Sequence, residues 1–310
     1  MKIAFVYPGQ GSQSTGMMAS FAQLPGVKET FAEASARLGQ DLWKLVAEGP
    51  AEELNLTVNT QPAMLTAGIA VARAWQLAGG TAPALSAGHS LGEYSALVAG
   101  GALAFGDAVE LVRFRAQAMQ EAVPAGTGAM AAILGLDDDA VRAACAQASQ
   151  GGDVAEPANF NSPAQVVIAG TRAAVERGME AAKAMGAKRA VLLPMSVPSH
   201  CSLMRPAAQR LKLQLDGIAV KASSVPVIHN ADVSVASTPE AIRDALVRQL
   251  YQPVRWVEVV QALVAAGATH IVECGPGKVL AGLNKRIAPQ VQVLSLGDEA
   301  ALREALGALT

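Results

Sequence analysis

The chain has 310 residues, 51% apolar and only 16% charged, which excludes a disordered polypeptide and supplies one large or two modest cores. Aromatic residues contribute just 4%, so those cores are aliphatic. A formal charge of −2 with no long basic run lacks the concentrated positive face of a nucleic-acid binder.

Short β-type runs alternate with amphipathic helical ones, the pattern of an α/β protein. Ile3-Ala4-Phe5-Val6-Tyr7 is a buried first strand, stopped by Pro8 and Gly9. The Gly-rich turn Pro8 to Gln13 matches neither G-x-x-x-x-G-K-[ST] nor G-x-G-x-x-G, because position 14 is Ser. It is instead a tight loop whose backbone N–H groups can face a site. Helices are predicted over Val27–Leu38 and Gln61–Leu77. A short strand follows over Ala84–Ala87, then Gly88-His89-Ser90-Leu91-Gly92, then a helix over Leu91–Val98. In that context G-x-S-x-G is a sharp strand-to-helix turn that presents a Ser hydroxyl, although a Ser N-cap accounts for the same residues. The N–H of Leu91, paired with that of Gln10, can complete an oxyanion hole.

Arg115 has Leu111, Val112, Ala118 and Met119 three and four residues away, whereas Arg113 has Glu110 and Gln117. An inward guanidinium needs an anion. An ion pair with a distant acid, snorkelling, and a docking point for a substrate carboxylate all answer that need.

The middle of the chain reads β-α-β-β-α-β: strands at 129–134, 154–160, 165–169 and 188–193, with helices at 137–148 and 171–185. Asn161-Ser162-Pro163 is predicted as a turn. This is the ferredoxin-like order, so residues 127–193 are expected as a subdomain inserted into a catalytic domain of 1–126 and 194–310. The crossings fall at Pro124–Gly126 and Pro194–Pro198. Strands at 269–274 and 291–295 and a helix at 299–309 close the chain.

Four histidines compete as general base. His89 adjoins Ser90 across a turn that sends neighbouring side chains apart, and His270 lies in an apolar strand, so both are expected to be structural. His229 is ambiguous, and His200, in the irregular segment Val197 to Cys201, has the loop position common for catalytic groups. The choice between the last two stays open on the residues alone. Cys145, Cys201 and Cys274 are odd in number and far apart, so neither a disulfide framework nor a zinc site is expected. The most apolar helical stretch, 62–77, carries Arg73 and is too short to span a bilayer, and the chain opens without a leader pattern. A cytoplasmic protein with no membrane partner is the expectation.

Taken in order, Pro8 to Gln13, Gly88 to Tyr94, Arg115, Ser199-His200 and Gln249-Leu250-Tyr251 resemble the malonyl-CoA:acyl-carrier-protein transacylases over nearly the whole chain. The Gly275-Pro276-Gly277 loop also fits. The resemblance implies an α/β-hydrolase-like core with a parallel sheet and a ferredoxin-like insertion. It implies transfer of malonyl from malonyl-CoA to the phosphopantetheine thiol of acyl carrier protein, in fatty acid biosynthesis, through a malonyl-serine ester and without metal or cofactor. Ser90 would be the nucleophile, His200 its partner, Arg115 the carboxylate anchor, and Gln10 and Leu91 the oxyanion donors. A backbone carbonyl near Gln249 would orient the imidazole in place of an acid. The rival on the same core is a serine esterase or thioesterase using His229 or His270. A degenerate acyl-binding module is disfavoured because no catalytic position is missing.

Overall fold

Ile3–Tyr7 is apolar and buried at all five positions, as a strand covered on both faces must be. The computed structural model describes residues 1–195 and 197–309, so Ser196, inside the crossing expected at Pro194–Pro198, and Thr310 lie outside it. Its strands are β1 (Ile3–Tyr7), β2 (Leu85–Gly88), β3 (Gly128–Leu134), β4 (Ala155–Ser162), β5 (Gln165–Thr171), β6 (Arg189–Leu192), β7 (Val227–Ile228), β8 (His270–Glu273) and β9 (Gln292–Ser295). The helices are α1 (Val27–Leu38), α2 (Leu42–Glu48), α3 (Ala51–Asn55), α4 (Thr57–Leu77), α5 (Gly92–Ala99), α6 (Phe105–Glu121) and α7 (Asp138–Ala148). They continue with α8 (Arg172–Ala184), α9 (Arg205–Asp216), α10 (Pro239–Gln249), α11 (Trp256–Ala265), α12 (Val279–Ile287) and α13 (Glu299–Leu309).

Two sheets organise the chain. One has five strands in the order β7-β2-β1-β8-β9, every pair parallel. Side chains alternate across it: Ile3, Phe5 and Tyr7 enter one core, Ala4 and Val6 the other. The second sheet is antiparallel, in the order β4-β5-β3-β6. There Ala129, Ala131, Ile133, Val166 and Ile168 face a core shared with α7 and α8. Met130, Val167 and Ala169 point the other way, into a small cluster with Cys201. The period of two thus gives this sheet one face for its own core and one for the segment that carries His200. The Asp137 carboxylate and the Thr171 hydroxyl cap α7 and α8, at the helix starts expected from sequence.

Among the boundaries that differ from the sequence expectation, two have a clear local cause. The helix expected from Gln61 begins at Thr57, with Pro62 one turn inside it. Thr57 to Thr60 are poor helix formers, but Asn59 Nδ2 donates to Glu53 O (2.8 Å) and Thr60 Oγ1 to Leu54 O (2.6 Å), which stitches the first turn to α3. Likewise β4 runs through Asn161 to Ser162, and the chain reverses at Pro163-Ala164, where Ala164 has φ 57°. At the end of β8 the buried Glu273 carboxylate accepts the Leu280 and Ala281 N–H groups (3.1 and 2.8 Å), fixing the start of α12. Burial pushes its pKa up to about 7.

Candidate active site

The C-terminal ends of β1, β2, β7 and β8 converge, the usual place for a site in a parallel sheet. Beyond β2 the turn is forced by sterics. A Cβ on Gly88 would fall 1.9 Å from the Gly92 carbonyl carbon, and one on Gly92 2.0 Å from Tyr7 O. Only glycine permits strand and helix to approach so closely. Ser90, between them, takes the left-handed φ of 51° and lifts its hydroxyl clear of the backbone. Such a conformation costs about 1–3 kcal/mol and needs surrounding structure to hold it.

His200 also has a positive φ, 62°, in the segment leading to α9. Its N–H donates to Leu250 O (3.0 Å), and its Nδ1 lies 2.7 Å from Gln249 O. A carbonyl only accepts, so Nδ1 carries the proton and Nε2 presents a lone pair. Nε2 sits 2.7 Å from Ser90 Oγ. Burial, and then the Arg115 charge, push the His200 pKa down to about 3, so the imidazole is neutral and poised to accept a proton.

Arg115 lies on α6 and is 1% exposed. Its Nη1 donates to Gln61 Oε1 (2.8 Å) and its Nη2 to Gln249 Oε1 (3.0 Å) and to Ser90 Oγ (3.4 Å). The Tyr94 ring lies 5.4 Å from the guanidinium carbon. Neutral oxygens and an aromatic face therefore hold this cation, and among the described residues it forms no salt bridge. Arg113, by contrast, pairs with Gln40 on the outer face.

The Ser90 N–H is already taken by Asn230 Oδ1 at 2.7 Å. The Leu91 N–H comes next, ahead of the first turn of α5, where helix N–H groups have no intrahelical acceptor. Leu91 and Gln10 line the same cavity as Ser90, Arg115 and His200, a volume of about 430 Å³ closed on its other side by Met130, Asn161 and Val167. Gln10 is fixed by its own side chain, which donates to Thr57 Oγ1 (3.3 Å). A second cavity of about 440 Å³, lined by Phe5, Trp75, Leu103 and Phe105, contains none of the Ser90 set.

The remaining histidines lie apart from Ser90 Oγ. His89 Nε2 pairs with Asn161 Oδ1 (2.7 Å) and its ring packs edge-on against Trp256. His229 is buried with Nδ1 on Glu93 Oε1 (2.8 Å). His270 opens β8 and bonds Thr269 Oγ1. Cys201, next to His200, is a thiol that burial pushes up to about 12. No group of three or more His, Cys, Asp or Glu among the described residues is arranged to hold a metal. Sequence reasoning overlooked Gln61, Glu93 and Asn230. Each has polar neighbours in the sequence, so no local signal marks it, and only the fold shows all three to be fully buried.

The chain matches the acyl transferase domain family over residues 4–293. It is 58% identical over 306 residues to the malonyl CoA-acyl carrier protein transacylase of Escherichia coli K12, covering 98% of this chain and 99% of that protein. Among solved structures, the acyl-carrier-protein S-malonyltransferase of Burkholderia pseudomallei superposes with a TM-score of 0.97 at 62% identity, covering 99% of this chain and 100% of the other. A malonyl-transacylase in complex with its type II PKS acyl-carrier protein superposes with a TM-score of 0.98 at 53% identity, over 99% and 100% of the two chains.

Proposed function

The chain belongs to the acyl transferase domain family, and from that premise we propose that it carries malonyl from malonyl-CoA to the phosphopantetheine thiol of an acyl carrier protein. One observation carries the assignment of roles. Ser90 Oγ lies between a neutral imidazole nitrogen at 2.7 Å and a buried guanidinium at 3.4 Å. The first makes it a nucleophile, and the second marks its acyl group as one with a negative end.

In the first half-reaction Ser90 Oγ attacks the thioester carbonyl while His200 Nε2 takes the hydroxyl proton. The Gln249 carbonyl oxygen, on Nδ1, stabilises the imidazolium that forms. Charge on the substrate oxygen is met by the N–H groups of Leu91 and Gln10, each contributing about 3 kcal/mol in the transition state. The tetrahedral intermediate collapses, the carbon–sulfur bond breaks, and His200 returns the proton to the departing CoA thiolate. Arg115 binds the malonyl carboxylate throughout. The carrier-protein thiol then gives its proton to His200 and attacks the malonyl-serine ester, and Ser90 leaves with that proton. Each proton and acyl transfer in this mechanism uses groups of the chain, the malonyl-CoA thioester and the carrier-protein thiol, and calls on no metal or cofactor. No helix among the described residues is long and apolar enough to cross a membrane, and we place the enzyme in the cytoplasm, where CoA thioesters are used.

We also propose that residues 127–193 form an inserted subdomain within a catalytic domain of 1–126 and 194–310. The separate antiparallel sheet and its own apolar core support this. The test of function is intact-mass spectrometry with malonyl-CoA. Wild type is expected to gain one malonyl group, which a phosphopantetheinylated carrier protein then removes, and Ser90→Ala is expected to gain none. An adduct on Ser90→Ala would overturn the nucleophile, and release of free malonate at the rate of acylation would make the protein a hydrolase.

A further inference from the structure

Asn230 stands outside every motif that points to Ser90, yet it is fully buried and both polar atoms of its side chain are committed to the turn. Its Oδ1 accepts the Ser90 N–H (2.7 Å) and its Nδ2 donates to Gly88 O (2.7 Å). Its own N–H donates to Glu93 Oε2 (2.8 Å), and its carbonyl accepts the Arg255 N–H (3.1 Å). Glu93 lies three residues beyond Ser90, is also fully buried, and sets its second oxygen on His229 Nδ1. Ser90, Glu93 and Asn230 therefore close a hydrogen-bonded ring between two segments of chain, residues 88–93 and 229–230.

The ring has a structural logic. Strand β7 pairs with β2 only at Ser86↔Val227 and Ala87↔Ile228. Past that point the Asn230 side-chain amide takes the place of a neighbouring strand, satisfying one carbonyl and one N–H across the bend. It spans the two peptide groups that precede Ser90 Cα, the stretch that must stay fixed for Ser90 to keep φ at 51°. It also occupies the Ser90 N–H, leaving the Leu91 N–H as the donor from this turn that faces the cavity.

We propose that Asn230 is a positioning residue for acyl transfer, holding Ser90 in the left-handed conformation that aligns Oγ with His200 Nε2, with Glu93 and its partner His229 holding Asn230 in turn. The inference rests on Ser90 being the nucleophile. Asn230 does not line the cavity, so it acts on the rate of Ser90 and not on the affinity for substrate.

The experiment is quenched-flow acylation by malonyl-CoA, read by intact mass over a range of concentrations, for wild type, Asn230→Ala and Asn230→Asp. Asn230→Ala is expected to lower the limiting acylation rate about a hundredfold, the cost of misplacing a reacting group by about an ångström. The half-saturating concentration should stay within about threefold. A merely destabilising substitution would reduce the fraction of chains labelled and leave the rate constant alone. Asn230→Asp adds a readout that a structural role would not move. A protonated carboxyl there both accepts from Ser90 N–H and donates to Gly88 O, as the amide does, whereas an ionised one cannot donate and adds a negative charge beside the buried Glu93, whose own charge His229 and Arg115 balance, with the Asp232–Arg248 pair next to His229. The rate of Asn230→Asp relative to wild type is therefore expected to rise about tenfold from pH 8 to pH 5. Rates within threefold of wild type in both variants, a half-saturating concentration that rises in step with the loss, or a pH profile of Asn230→Asp parallel to wild type would each overturn the proposal. So would failure of both variants to fold, because the residue would then serve folding. Absence of an adduct on wild type would instead count against Ser90, which keeps the two failures apart.

Discussion

Replacement of Arg115 by Ala tests whether the buried cation selects the substrate. The guanidinium keeps Gln61 Oε1 and Gln249 Oε1 as fixed partners and has Ser90 Oγ at the edge of hydrogen-bond range. Once Ser90 is acylated that oxygen belongs to an ester and is a poor acceptor. A malonyl carboxylate restores a charged acceptor there, and an acetyl group restores none. Breaking a buried charge pair by removing one partner costs about 3–5 kcal/mol. At tenfold per about 1.4 kcal/mol, kcat/KM for malonyl-CoA should fall about a hundred- to a few-thousandfold.

Acetyl-CoA loses no such contact, so the malonyl-to-acetyl ratio should collapse by nearly the whole of that factor. The ratio is the decisive quantity. Arg115→Ala also strands two buried amide oxygens, at about 1–3 kcal/mol of stability for each, and lowers the active fraction. Both substrates sample the same active molecules, so that fraction cancels. Arg115→Lys keeps the charge but not the planar fork, and should fall between wild type and Ala. Steady-state kcat/KM for both acyl-CoAs on the three proteins, with Arg113→Ala as a control on the outer face, is the assay. A malonyl-to-acetyl ratio in Arg115→Ala that matched wild type would mean that the arginine is structural.

Three further outcomes follow from the same geometry. His200→Ala should slow acylation by about 10²–10⁴-fold, the range of general-base catalysis, while His270→Ala, at the start of β8 and away from the site, should not; equal acylation rates for wild type and His200→Ala would remove the base. A His200 pKa of about 3 keeps the basic form populated as pH falls, so the acid limb of kcat/KM should lie well below the ordinary histidine value. The same depression adds stability above pH 6.5 that is lost progressively as pH falls toward 3, so thermal melts should drop across that window, and an activity limb centred near 6.5 would refute the neutral imidazole. Gln249→Glu should place a carboxylate on Arg115 Nη2 and lower the malonyl-to-acetyl ratio at least tenfold, and a ratio equal to that of wild type would show that the cation is not what the substrate meets.

The elements legible in the sequence are those with a local cause. Strand β1 is an unbroken apolar run, the Ser90 turn is punctuated by two glycines, and the β-α-β-β-α-β order of residues 128–192 carries its own caps. Arg115 was legible because its helical neighbours Leu111, Val112, Ala118 and Met119 are all core residues. What stayed hidden depends on pairs far apart in the chain. Nothing near His200 or His229 decides which of them meets Ser90. The matter is settled in space, where Glu93, three residues past Ser90, occupies His229, and Gln249 O orients His200. The sequence pattern starts the helix at Gln61, whereas Gln61 lies a full turn inside α4 with Asn59 and Thr60, all three buried.

The partners of the two charged or chargeable groups at the centre follow one rule. His200 has a carbonyl where many serine enzymes place a carboxylate, and Arg115 has two amide oxygens where a buried arginine commonly has an acid. A carboxylate in either place would stand within reach of the guanidinium, since Gln249 alone touches His200 through its main chain and Arg115 through its side chain. Such an acid would neutralise Arg115, the one arginine or lysine among the described residues that line the cavity. On the proposed mechanism, an acyl group that brings its own negative charge would meet residues that orient through dipoles and a guanidinium with no salt bridge among the described residues, the buried Glu93 acting on it from farther away. The cost is a weaker base, because burial, and then the adjacent arginine charge, oppose protonation of the histidine. In the mechanism proposed above, the oxyanion donors would answer that cost, since charge moved onto the substrate oxygen as His200 takes the proton would be met by N–H groups already in place.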